Sequence, residues 1–262
     1  MQAGKQIRLG RLFDANTGRT LIVAIDHGLG GVPDGLEDLR GRLGSIIDGE
    51  PDGLILSAGA TRHMSDMLLG RGRPGLVVTV DRRVGSTLQG TPSRGDEYIL
   101  TVPVEDAARL GADGVKMVMI YGRDSAKTHA DNVRAVAQVA SECERHGVPL
   151  ILEPVLWGEH ATDEHRSDPE ILAHMCRMGV EAGADVLKVH HVDNGFGEVV
   201  HETAVPIVIL GGAKTETDDE SLDMVGSAID DGARGIAFGR NVFQREDPAA
   251  VIRGLRKVVH GA

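Results

Sequence analysis

Short runs of apolar, mostly β-branched residues recur along the chain, and between them the apolar positions fall at helical spacing. The runs predict strands over residues 20–26, 53–57, 75–81, 114–121, 149–155, 185–190, 205–210 and 235–239. The intervening pattern predicts helices over 34–48, 127–146, 169–182, 218–231 and 248–260. Helices ahead of a strand close on Gly111, Gly147, Gly183 or Gly232, as expected for glycine just past a helix end. The strand runs are continuously apolar rather than alternating, which suits a parallel sheet covered by helices. Eight such units over residues 1–262 predict one α/β domain, a (β/α)8 TIM barrel. A doubly wound open sheet, the rival architecture, rarely uses eight equal units. The longest irregular piece, 82–100, carries Gly85, Gly90, Pro92, Ser93 and Gly95. It follows the third strand on the face where barrel active sites lie, and reads equally as a lid or as a plain surface loop.

Barrel active sites are built at the C-terminal strand ends, so polar residues inside those runs stand out. The sequence writes Gly-Ala-Asp and, three residues on, a lysine, twice: Gly111-Ala-Asp-Gly-Val-Lys116 and Gly183-Ala-Asp-Val-Leu-Lys188. A lysine inside an apolar strand is costly unless paired or used. An amine in a dry pocket loses its proton easily and attacks carbonyls, so either lysine is a candidate for Schiff-base chemistry. The fifth strand carries Glu153, and the first ends Asp26-His-Gly28. Alternation puts Lys116 on the same face as Val118 and Ile120, Glu153 with Ile151 and Val155, and Lys188 with His190. A lone Lys–Glu pair would read as a structural ion pair; two lysines, Glu153 and Asp26 together favour a site.

The last two strands end in Gly211-Gly212 and Gly239-Arg240. Bare backbone N–H groups there suit a phosphate, a common ligand after barrel strands seven and eight. His27, Tyr121 and His190 are candidate substrate contacts. Tyr121 and Trp157 read equally as pocket lining or as cover for the barrel mouth, while Ser57 and Asp81 read as polar rim. Adjacent His190 and His191 would face opposite ways on a strand and make poor paired ligands, so no metal is expected.

The formal net charge of −11 argues against nucleic acid or an anionic membrane as partner. Cys143 and Cys176 sit in helical stretches, which suits a reducing cytoplasm rather than a disulfide framework. The polar, basic start does not resemble a signal peptide, and no apolar run reaches the length of a membrane span.

The Ile25-Asp-His-Gly28 start, the Gly-Ala-Asp strands, Gly211-Gly-Ala-Lys214 and the finish Gly239-Arg-Asn-Val-Phe-Gln244 resemble the class I aldolases of the DeoC/LacD/FbaB type nearly end to end. That superfamily includes archaeal-type fructose-bisphosphate aldolase, tagatose-bisphosphate and sulfofructose-phosphate aldolases, and aminodideoxyheptulosonate synthase. The resemblance implies that Lys188 on strand six is the Schiff-base lysine. It also implies that Lys116 and Glu153 match the tagatose and sulfofructose branch, where the glutamate is the acid–base group. The archaeal type places a tyrosine on strand five, where this chain has Val155. The chain thus mixes two branches.

The resulting expectation is a class I aldolase with no cofactor beyond a covalent iminium on Lys188. Its expected substrates are a phosphorylated sugar or ketone, dihydroxyacetone phosphate foremost, plus an aldehyde. Lys116 would act beside Lys188 by like charge, and Asp26 would position or deprotonate the hydroxyl next to the breaking bond. The alternatives are a biosynthetic condensation with an amino-acid-derived aldehyde such as aspartate semialdehyde, and an inactive barrel that binds a phosphorylated metabolite. A homo-oligomer is expected from the same resemblance.

Overall fold

The computed structural model describes residues 2–84 and 97–261. In chain order the strands are β1 (Thr20–Ala24), β2 (Gly53–Ser57), β3 (Gly75–Thr79), β4 (Asp81–Val84), β5 (Glu97–Leu100), β6 (Gly114–Tyr121), β7 (Leu150–Leu156), β8 (Val186–Val189), β9 (Ile207–Leu210) and β10 (Gly235–Phe238). Eight of them form a closed parallel barrel in the order β1-β10-β9-β8-β7-β6-β3-β2, while β4 and β5 pair antiparallel as a hairpin after β3. The expected (β/α)8 barrel is therefore the fold. The sequence expectation of an irregular 82–100 segment holds two paired hairpin arms instead. Its centre, 85–96, on which the lid reading turned, lies outside the described residues.

Most predicted strands recur with ends trimmed. The first stops at Ala24 rather than residue 26, because Asp26–Gly30 turns into a 3-10 helix. The helix expected from residue 34 starts at Leu39, where the Asp38 side chain accepts the Gly41 N–H at 3.0 Å and caps it. One helix, Ala3–Leu12, escapes the apolar pattern because it buries only Lys5 and Leu12.

That helix closes the N-terminal end of the barrel. Leu12 packs inside with Ile22, Ala24, Ile55, Val77, Ile151, Val186, Val208 and Ala237. Glycine at the start of β3 makes room for it: a Cβ on Gly75 would lie 2.7 Å from Leu12 Cδ2. A larger apolar layer, including Val23, Leu54, Val78, Met117, Leu152 and Leu187, joins the outer barrel face to the helices. Cys143 and Cys176 are unbonded and buried in that layer.

The aspartates of the repeated Gly-Ala-Asp lock the strand register. Asp113 precedes β6; its N–H donates to Leu76 O at 2.6 Å and its carboxylate accepts the Leu76 N–H at 3.1 Å. Asp185 precedes β8 and makes the same reciprocal pair with Leu150, at 2.9 and 2.8 Å. Asp52, ahead of β2, does so with Leu21, at 2.9 and 2.6 Å. With the base of each strand fixed, a residue three places on stands about 10 Å up the barrel. Lys116 and Lys188 both occupy that position.

Asp185 also accepts from the fully buried Lys5 ammonium, which Glu144 shares. Replacing Asp185 with alanine leaves that ammonium to Glu144 alone and orphans the Leu150 N–H. The expected loss is about 3 kcal/mol of stability, read as a lower urea midpoint at unchanged slope.

Candidate active site

At the C-terminal end the barrel opens into a cavity of about 640 Å³. Lys116, Glu153 and Lys188 line it from three consecutive barrel strands, β6, β7 and β8. They are only 8%, 4% and 8% exposed. Glu153 Oε2 accepts from Lys188 Nζ at 2.9 Å and lies 3.1 Å from Lys116 Nζ. One carboxylate oxygen thus serves two buried ammonium groups.

Asp26 sits on the other side of Lys116, with Oδ2 3.8 Å from Nζ. The Thr79 hydroxyl, from the end of β3, donates to the same Asp26 oxygen at 2.6 Å. His27 follows from the 3-10 turn, its Nδ1 3.7 Å from Asp26 Oδ1. Its ring lies against Phe243 and over Gly239, where a Cβ would come within 2.5 Å of Cε1. Only glycine fits there.

Burial works against every charge in this cluster, and the neighbours decide the outcome. Glu153 loses solvation, yet the Lys116 and Lys188 charges and their hydrogen bonds hold it down at about 2. Asp26 is lowered in the same way: burial is outweighed by both lysines and the Thr79 bond. Lys116 is raised, because Glu153, Asp26 and Asp81 together outweigh its own burial. His27 and His190 are lowered by burial, which favours neutral imidazoles at neutral pH.

The β9 and β10 turns face the same cavity through Gly211, Gly212, Gly239 and Arg240. Gly212 adopts φ +63°, the left-handed region that glycine tolerates. Asn241 holds the β9 turn, its Nδ2 donating to Gly211 O at 2.7 Å and Ala213 O at 3.1 Å. Its Oδ1 accepts the Thr215 N–H at 2.7 Å. Lys214 turns away to donate to Gln244 O.

An apolar wall of Val118, Ile120 and Val155 rises between β6 and β7 and meets Tyr98 of the hairpin. Trp157 lines the cavity and lies 6.1 Å from the Tyr98 ring. Asp81, Arg82 and Arg166 also line it.

Most candidates from the sequence therefore meet in one place: Lys116, Glu153, Lys188, Asp26, His27, His190 and the two glycine turns. Tyr121 is the exception. Alternation along β6 points it outward, where its hydroxyl contacts Met119 Sδ at 3.4 Å and its ring faces His129. His191 also leaves the cavity and packs on Phe196. Among the described residues, no group of three or more His, Cys, Asp or Glu side chains is arranged to hold a metal ion. Thr79, Asn241 and Arg166 were missed in the sequence, since nothing local marks a threonine, asparagine or arginine that acts across the barrel. Asp81, read as rim, is buried.

A DeoC/LacD family aldolase model matches residues 20–245. The 2-amino-3,7-dideoxy-D-threo-hept-6-ulosonate synthase of Halobacterium salinarum is 34% identical, over 98% of this chain and 92% of its own. The 2-amino-4,5-dihydroxy-6-oxo-7-(phosphonooxy)heptanoate synthase of Streptomyces griseus is 30% identical, over 98% and 91%. Among solved structures, an archaeal fructose-1,6-bisphosphate aldolase with its catalytic lysine bound covalently to a carbinolamine intermediate matches at a TM-score of 0.80. It is 25% identical and covers 98% of this chain and 100% of that one.

Because its pKa in the fold lies below the ordinary 4.5, Glu153 stabilises the protein above about pH 4.5, and that contribution fades as pH falls toward about 2. The stability difference between wild type and Glu153→Gln should therefore shrink by about 3 kcal/mol between those limits. Urea unfolding at a series of pH values reads it; a difference independent of pH would contradict the ion-pair geometry.

Proposed function

The chain belongs to the DeoC/LacD aldolase family, and we propose that Lys188 is its Schiff-base nucleophile, with dihydroxyacetone phosphate as the ketone half. The observation that carries this reading is the single Glu153 oxygen within hydrogen-bond reach of both Lys188 and Lys116. A carboxylate so placed can take a proton from one amine while the other stays charged beside it.

The steps follow from that geometry. Neutral Lys188 Nζ attacks the ketone carbon, and the carbonyl oxygen takes a proton to give a carbinolamine. Glu153, carrying the proton it took from the Lys188 ammonium, donates it to the departing hydroxyl, which leaves as water and forms the iminium. A base removes the proton from the neighbouring hydroxymethyl carbon, and the electron pair of that C–H bond moves into the iminium to give an enamine. The enamine carbon attacks the aldehyde, the new alkoxide takes a proton, and water releases the product from a second iminium. Lys116, charged and held between Glu153 and Asp26, stabilises developing negative charge on substrate oxygen. Asp26, fixed by Thr79, serves the hydroxyl at the bond that forms or breaks. The Gly211-Gly212 and Gly239-Arg240 turns hold the phosphate.

A second reading concerns the aldehyde. The product named for the Streptomyces griseus relative divides chemically at one aldol bond. Carbons 5 to 7 are dihydroxyacetone phosphate, and carbons 1 to 4 are 2-amino-4-oxobutanoate, which is aspartate semialdehyde. We infer the same kind of condensation here as the alternative to cleavage of a sugar phosphate. Both readings share the donor half and Lys188.

The donor half alone tests the shared chemistry. Wild type should exchange a hydroxymethyl-carbon hydrogen of dihydroxyacetone phosphate for solvent deuterium, followed by proton NMR. Lys188→Met should reduce exchange to background, and Glu153→Gln should slow it by about 10²- to 10⁴-fold. Exchange that survives loss of Lys188 would refute the assignment.

A further inference from the structure

Asp81 is a buried carboxyl that the steps above do not use. It opens the hairpin directly after β3, lines the cavity and is 2% exposed. Oδ2 is fixed by the Val118 N–H at 2.8 Å. Oδ1 has no hydrogen-bond partner among the described residues. A buried acceptor left bare costs free energy comparable to a lost hydrogen bond, so its retention in a cavity wall asks for an occupant that donates.

The barrel order says which part of a substrate would supply that donor. In the closed ring, β3 stands four strands from β9, directly across the mouth from the Gly211-Gly212 turn. Lys188 on β8 is next to β9, and Glu153 on β7 and Lys116 on β6 lead round toward β3. A ketone whose phosphate sits on the β9 and β10 turns and whose carbonyl carbon meets Lys188 has its new bond directed toward β6 and β3. The aldehyde half then ends against the hairpin, where Asp81, Arg82 and Tyr98 line the wall.

Resting on the aldolase reading, we propose that Asp81 is the specificity-determining residue for the aldehyde half, accepting a hydrogen bond from a hydroxyl or ammonium group carried beyond the aldehyde carbon. Burial supports the assignment: desolvation pushes the Asp81 carboxyl up to about 6 against the pull of Lys116 and the Val118 N–H, so a donor brought against it is matched to an under-solvated acceptor. A substrate that lacks the donor leaves that acceptor bare inside the complex, which is how a polar site rejects a deoxy or deamino analogue.

The test pairs aldehydes that differ by one donor, each with dihydroxyacetone phosphate. Aspartate semialdehyde against succinate semialdehyde reads an ammonium, and D-glyceraldehyde 3-phosphate against 3-phosphonooxypropanal reads a hydroxyl. In wild type, kcat/KM should favour the donor-bearing member of at least one pair by about 10- to 100-fold. Whichever pair shows it identifies the donor. Asp81→Asn keeps the size and the bond from Val118 while removing the charge, and should collapse that ratio to within about threefold; Asp81→Glu should restore part of it. Normal deuterium exchange into dihydroxyacetone phosphate with no preference in either pair, or with the same preference after Asp81→Asn, would overturn the assignment while leaving the aldolase reading in place. Absence of that exchange in wild type would overturn both.

Discussion

The carboxylate of Glu153, held between the amines of Lys116 and Lys188, is the interaction on which the site depends. Three charges deep in a barrel are tolerable only because each is paired within about hydrogen-bond distance. Remove the carboxylate and two buried ammonium groups face each other with little solvent to screen them. Keep it, and the same cavity holds a carboxylate against an amine, each less than a tenth exposed, an arrangement suited to carbonyl chemistry on a lysine.

That arrangement is set from the opposite end of the barrel. Asp113 and Asp185 fix the bases of β6 and β8 by reciprocal bonds to Leu76 and Leu150. The strand rise then carries Lys116 and Lys188 to one height, and β7 places Glu153 between them. Leu12, Lys5 and the N-terminal helix close the floor below. The chemistry at one mouth and the packing at the other are therefore coupled through strand register. A slip of one residue would turn both lysines outward into the helix layer.

Much of this was legible in the chain. Continuous apolar strands and glycine-closed helices marked a barrel, and buried charges within the strands marked its inner face. The lysines and Glu153 reach the cavity as alternation required, and Asp26 and the terminal glycine turns reach it from beyond the strand ends. What stayed hidden depends on contacts between residues distant in sequence. Nothing local marks the aspartates of the repeated motif as register locks, because their partners lie 37 and 35 residues away. The N-terminal helix lacks an apolar stripe because it buries only two side chains. Tyr121 stood at a strand end, where pocket and helix layer differ by one step of alternation, and it belongs to the helix layer. Asp81 reads as rim in the sequence because nothing local shows that it is buried.

On the proposed reading Lys188, rather than its neighbour Lys116, forms the covalent bond to substrate. Borohydride reduction in the presence of dihydroxyacetone phosphate, followed by peptide mass mapping, separates the two. A stable adduct is expected on the peptide that carries Lys188 and none on the peptide that carries Lys116. An adduct on Lys116, or turnover without any adduct, would contradict it.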